Sequence, residues 1–174
     1  MNTAKFLIEK FNLQPHPEGG FFRQTYKSDE SIPQAALPER FNGDRAFSTA
    51  IYFLLDKGDF SAFHGIKQDE FWHFYTGSSV NIHVIDLNGY YFTLKLGIDF
   101  EQGEMPQAVV KAGCYFAAEI NDKTSYALVG CTVAPGFDFA DFEMPTRAAL
   151  IEKFPSCAEI ITKCTRAENQ RNEP

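Results

Sequence analysis

Residues 58–77 read GDFSAFHGIKQDEFWHFYTG, and this stretch decides the fold. Its glycines, one histidine and one glutamate fall at Gly58-x5-His64-x-Ile66-x3-Glu70-x6-Gly77. Phe63 and His64 read as part of a strand, Asp69 as an exposed turn residue, and Phe71 to Tyr75 as the following strand up to Gly77. Strand alternation places Trp72 and Phe74 on the face of Glu70, and His73 on the opposite face.

Working outward, the strands multiply. Phe47 to Leu55 is a strand with an apolar face at Phe47, Ile51, Phe53 and Leu55, and a second face carrying Ser48 and Tyr52 toward solvent or a polar pocket. Val80 to Leu87 and Tyr90 to Leu96 flank Asn88-Gly89, a strong hairpin signal. Val109 to Ile120 and Ser125 to Val133 are two more strand-like runs, and residues 21–27 are another. Ala134 to Glu143 is too rich in Gly, Pro and Asp for a helix and should lie across the sheets through Phe137, Phe139 and Phe142. Residues 3–13 carry helical spacing with Thr3 as N-cap. Thr146 and Ser156 should cap two short helices reaching Cys164. Asp29 to Asp44 is the longest loop.

Composition narrows the function classes. At 174 residues the chain is sized for one domain, with a barrel core over about residues 20–143 and helices over about 3–13 and 146–164. Such a chain buries roughly 70 per cent of its unfolded surface without staples. A net charge of −7 with no Lys or Arg run argues against nucleic acid and anionic membranes as partners. No apolar run approaches the ~20 residues of a membrane span and no signal pattern opens the chain, so the cytoplasm is expected. Cys114, Cys131, Cys157 and Cys164 lack paired spacing and read as buried free thiols.

The 58–77 spacing resembles the first signature motif of the cupin superfamily, Gly-x5-His-x-His-x3-Glu-x6-Gly, with Ile66 in place of the second histidine. The second motif is half present. Gly113 of Lys111-Ala112-Gly113 matches its turn glycine, Phe116 stands where a metal-binding histidine would be, and Ile120 where an asparagine would be. The chain as a whole resembles a branch of small single-domain cupins. The segments that carry this are HPEGGFFRQTY at His16 to Tyr26, STAIYFLL at Ser48 to Leu55, FHGIKQDEFWHF at Phe63 to Phe74 and GCTVAPGFDFADFE at Gly130 to Glu143. Gln24 departs from that branch, where an acidic residue precedes Thr-Tyr. The resemblance implies a mainly β fold, a cupin-type double-stranded jelly-roll barrel with short terminal helices. It also implies an architecture shared with dTDP-sugar epimerases.

The same resemblance puts His64 and Glu70 inside the barrel. A lone buried carboxylate is costly, so Glu70 should meet His64, Arg23, a ligand or a metal. His64 is the expected general base, since imidazole exchanges protons near neutrality, with Glu70 as its partner or acid. Glu18 and Arg23 flank Gly19-Gly20, where arginine would hold an anionic group or a salt bridge would anchor the N-terminal arm. Trp72 is a stacking floor or a core residue. Ser48, Tyr52, Gln107, Tyr115 and Phe116 complete the expected ligand pocket, and His83 is expected at a surface or interface.

Three functions compete. The first is an epimerase or isomerase of a sugar or other polar metabolite. The second is a metal-dependent cupin oxygenase, with His64 and Glu70 joined by Gln107 or His73. The third is a binding protein for a sugar or nucleotide without catalysis. No cofactor is expected, because two of four metal-ligand positions hold Ile66 and Phe116. A homodimer is expected, since pairing covers sheet edges.

Overall fold

The computed structural model describes residues 3–166. Helix α1 (Ala4–Phe11) opens it, its first turn capped by the Thr3 hydroxyl, which accepts from the Phe6 N–H. The strands follow as β1 (Gln14–Pro15), β2 (Phe21–Lys27), β3 (Ser31–Ile32), β4 (Arg45–Ala46), β5 (Thr49–Leu55) and β6 (Phe60–Gly65). Beyond them come β7 (Asp69–Gly77), β8 (Val80–Ile85), β9 (Tyr91–Leu96), β10 (Gln107–Val110), β11 (Tyr115–Ile120) and β12 (Ala127–Ala134). Helices α2 (Arg147–Lys153) and α3 (Ala158–Lys163) close the described chain.

Two antiparallel sheets face each other, one ordered β1-β2-β5-β12-β7-β10 and the other β6-β11-β8-β9, with β3-β4 as a separate ribbon. The main core lies between them. Phe53, Leu55, Trp72, Val129 and Cys131 from the large sheet meet Val80, Ile82, Val84, Phe116 and Ala118 from the small one. This is the jelly-roll arrangement that the motif spacing implied. Burial of such alternating inward faces is the dominant favourable term in folding.

The outer faces are covered unequally. Helix α1 packs Leu7 onto Leu54 and Leu128 of the large sheet, while α2 and α3 bury Leu150, Phe154 and Ile161 against Phe63, Ile85 and Tyr115 of the small one. The single run expected over Val109 to Ile120 is two strands, because Lys111-Ala112-Gly113 turns the chain, with Gly113 at φ +81°. All four cysteines are buried and unpaired. No helix of the described residues is long and apolar enough to cross a membrane.

Gly77 ends β7 at φ +102°, and a Cβ there would collide with the Tyr126 carbonyl oxygen. Gly77→Ala is therefore expected to cost more than about 1 kcal/mol in a urea titration. A loss under about 0.5 kcal/mol, the scale of an ordinary surface change, would show that this turn relaxes freely.

Candidate functional site

A cavity of about 90 Å³ opens between the sheets under the segment that follows β12. Strand alternation decides what reaches it. Phe22 and Gln24 of β2, Thr49, Ile51 and Phe53 of β5, Glu70 of β7 and His64 of β6 line its walls. Phe137, Phe139 and Phe142 form its cover, a Gly-, Pro- and Asp-rich segment whose one regular element is a short 3-10 turn over Phe139–Asp141.

The acid–base groups come from two places. His16 and Glu18 lie on a tight turn closed by the Gly19 N–H donating to the His16 carbonyl. Both side chains are buried while Pro17 between them is exposed. Gly19 (φ +115°) and Gly20 (φ +70°) allow this turn to press on the sheet: a Cβ on Gly19 would strike the Phe60 carbonyl, and one on Gly20 would lie 2.6 Å from the Leu54 carbonyl oxygen. The close approach that the glycine pair permits is to the protein's own backbone. The Ala62 N–H then donates to the Glu18 carbonyl at 2.8 Å, which fixes the turn beside β6.

On β6 a bulge opposite Phe116–Ala118 inserts an extra residue between Ser61 and His64. Two residues three apart thereby share a face. The Ser61 hydroxyl donates to Glu18 Oε1 at 2.9 Å, and His64 Nε2 lies 3.1 Å from Glu18 Oε2.

Hydrogen positions follow from the partners. His64 Nδ1 is 2.8 Å from the Ala62 carbonyl oxygen, which can only accept, so Nδ1 carries the hydrogen and Nε2 is bare. His16 Nδ1 receives the Glu18 backbone N–H at 3.4 Å, so it too is bare. Glu18 Oε2 thus faces two bare nitrogens, at 3.1 Å and 3.4 Å. One proton on that oxygen satisfies the cluster. Burial acts the same way: it lowers His16, raises Glu18 and pushes His64 down to about 4. Glu70 is pushed up to about 8, first by burial and then by the neighbouring Glu18 charge, against a hydrogen bond with the Cys131 thiol. Near neutral pH the cavity therefore holds a protonated Glu70 and two neutral imidazoles, and burial together with the two bare nitrogens favours the protonated form of Glu18.

Several expected ligand residues lie elsewhere. Arg23 is exposed on the outer face of β2, one residue out of phase with Phe22 and Gln24, and donates to the Phe11 carbonyl at 3.0 Å. Tyr52 points outward under α1, its ring 5.0 Å from that of Phe11. The Ser48 hydroxyl is committed to the Val133 carbonyl at 3.0 Å. Trp72 is a core residue, edge-on to Phe53 at 5.9 Å, and does not reach the cavity. Gln107 and His73 bond each other at 3.1 Å on the outer face of the large sheet. Tyr115 lies under the C-terminal helices and donates to Glu143 at 2.6 Å. Phe116 packs its ring 4.1 Å from that of His64 and backs the site without lining it. His83 is buried, paired with Glu119 at 3.2 Å and stacked on the Tyr91 ring at 6.1 Å.

Of the expected set, His64, Glu70 and Glu18 line the cavity. His16 was not singled out as a site residue, although its place two residues before Glu18 on a turn was the available signal. Gln24, noted as a departure, stands exposed at the mouth.

The donor set does not fit a metal of the kind cupin folds carry. Ile66 lines the cavity and Phe116 abuts His64 where two further ligands would be needed. Among the described residues, three His, Cys, Asp or Glu donor atoms converge within 4.8 Å only at His83, Glu119 and Cys164. There Lys123 and Lys163 already contact Glu119 at 2.8 Å and 2.5 Å, and two ammonium groups oppose a cation. Gln107 and His73, the recruits considered above, face away from the cavity.

Comparisons with known proteins agree with this architecture. Residues 5–145 match the family model described as cupin superfamily (DUF985). A solved structure of a Shewanella oneidensis protein is 37% identical, with a TM-score of 0.87, covering 97% of this chain and 100% of that one. A hypothetical protein from Leishmania major is 32% identical, with a TM-score of 0.84, covering 95% and 100% respectively. An uncharacterised Saccharomyces cerevisiae protein is 28% identical over 149 residues, which is 80% of this chain and 74% of the yeast protein.

Proposed function

This chain belongs to the DUF985 family of the cupin superfamily, and we propose that it moves protons on a small polar metabolite, as an epimerase or isomerase working in the cavity beneath Phe137, Phe139 and Phe142. One observation carries the reading: a bare imidazole nitrogen and a protonated carboxyl line the same small, largely apolar space. Pairs of titratable groups whose surroundings push them apart are the usual acid and base of such chemistry.

The roles follow from the hydrogen bonds. One proton lies between Glu18 and His64, and moving it to either partner leaves the other as a base toward the cavity. That base takes a proton from the carbon beside a carbonyl, while Glu70 gives its own proton to the carbonyl oxygen as the enol forms. Return of a proton to the carbon and of the oxygen's proton to Glu70 completes an isomerisation with no net change in the protein. The cavity is smaller than the ~150 Å³ that holds benzene, which favours a metabolite more compact than a sugar ring. A binding role without catalysis gains from one fact: both ring nitrogens of His64 already have protein partners.

The test is proton–deuterium exchange into a panel of small carbonyl compounds as pH varies. Exchange should rise as pH passes about 4, where His64 becomes neutral, and fall above about 8, where Glu70 loses the proton it must donate. No exchange anywhere between those limits would favour the binding role.

A further inference from the structure

The cover of the cavity has a geometry of its own. Phe137, Phe139 and Phe142 stand nearly perpendicular to one another, with interplanar angles of 80°, 70° and 76° and centroids 5.1, 6.3 and 6.0 Å apart. Three such rings form the corner of a box, close enough together for one cation to lie within ~6 Å of all three centroids, with the His16 ring beside it, 6.3 Å from Phe139 and 6.0 Å from Phe142. Phe22 closes the space from β2. Glu18 and Glu70 supply ionisable oxygens to the same cavity, and no lysine or arginine lines it.

From this arrangement we infer that the ligand carries a compact cation, a methylated ammonium group, held in the phenylalanine corner above Glu18 and Glu70. Ring faces attract a cation through their quadrupole, and methyl groups fill an apolar corner that a bare ammonium ion would leave partly empty. Phosphate, carboxylate or nucleotide groups would meet two carboxyls and no lysine or arginine, so the lining disfavours anionic ligands. The rest of the ligand leaves by the mouth, where Gln24 and Phe139 are exposed, Phe139 by 56%. This inference deepens the proposed function by naming the ligand class of the same site.

The cation also changes the protonation of the cavity. The groups facing it are His16, Glu18, His64, Glu70 and the Cys131 thiol. A positive ligand favours ionised carboxylate, so below about pH 8 binding should expel a proton from Glu70. The dissociation constant should then weaken about tenfold for each pH unit below that point, if one proton is released.

The decisive experiment titrates the unmodified protein with choline and with 3,3-dimethylbutan-1-ol, which has the same shape without the charge. Calorimetry is run in two buffers of different ionisation heat. Choline should bind with a dissociation constant of about 1 mM or below, release protons, and bind at least about tenfold more tightly than the neutral isostere. Phe139→Ala, at the exposed rim, should weaken choline about 2- to 30-fold. Glu70→Gln should remove the proton release. Equal affinity for the neutral isostere, or no choline binding, would overturn the inference. Deuterium exchange into an uncharged ketone would in that case still support the proton-moving reading, so the two can fail separately.

Discussion

Arg45→Met is expected to destabilise the protein by about 3–5 kcal/mol, the cost of stranding one partner of a buried ion pair. Arg45 Nε and Nη2 donate to Asp141 Oδ2 and Oδ1 at 2.7 Å and 2.6 Å, and both residues are buried. Gln68 Nε2 adds a third bond to Asp141 at 2.7 Å. Asp141 ends the short turn of helix that carries Phe139, so this pair fastens the cavity's cover to the β3–β4 ribbon. The Gly136 N–H donating to the Ala46 carbonyl at 2.7 Å and the Phe137 N–H donating to the Thr49 hydroxyl at 2.9 Å hold its other end.

Acid should reveal the same pair. Hydrogen bonds from Arg45 and Gln68 hold the Asp141 carboxyl below its usual range despite burial. A depressed carboxylate contributes stability that is present above its unfolded value and is lost as pH falls through the folded one. Urea titrations at falling pH should therefore show a steeper acid loss in the parent protein than in Arg45→Met. A double variant, Arg45→Met with Asp141→Leu, should be less destabilised than Arg45→Met alone, because no charge is left stranded. A single-variant loss under about 1 kcal/mol would mean that water or Lys67, 3.6 Å from Asp141, already shares that charge.

The elements that the sequence made legible are those set by local pattern. Asn88-Gly89 turns β8 into β9, Thr3 caps α1, and the spacing from Gly58 to Gly77 brackets two strands that carry His64 and Glu70 inward. What it concealed depends on long-range contact. Nothing near Arg45 or Asp141 in sequence announces that they meet. The partner of His64 is Glu18, from a turn before β2, and the bulge that lets Ser61 and His64 share a face leaves no mark in their side chains. The placement of Arg23 was legible in principle: alternation from Phe22 and Gln24 sends it outward. His83 was opaque because its partners, Glu119 of β11 and Tyr91 of β9, come from neighbouring strands.

The largest catalytic effect should fall on Glu18→Gln. Glutamine keeps the size, can accept from the Ser61 hydroxyl and can donate an N–H to His64 Nε2, so the fold and the His64 orientation should survive. It cannot give up or take a proton. If the proton between Glu18 and His64 serves only to satisfy hydrogen bonds, deuterium exchange should continue at the parent rate. If it is the proton that the reaction moves, exchange should fall by about 10²- to 10⁴-fold, as loss of a general base does, with ligand affinity nearly unchanged. His64→Asn should give a similar loss, since asparagine can still reach toward the Ala62 carbonyl yet leaves no basic nitrogen beside Glu18. Glu70→Gln should lower rate and affinity together, because it changes what faces the ligand's oxygen and, where the ligand is cationic, removes the charge that would pair with it. A Glu18→Gln protein with full exchange would strip Glu18 of any part in proton transfer and leave it a structural brace. If His64→Asn alone then failed, the imidazole would act by itself. If both variants kept full exchange, the base would have to be sought outside this pair, with Glu70 the remaining ionisable oxygen on the cavity wall.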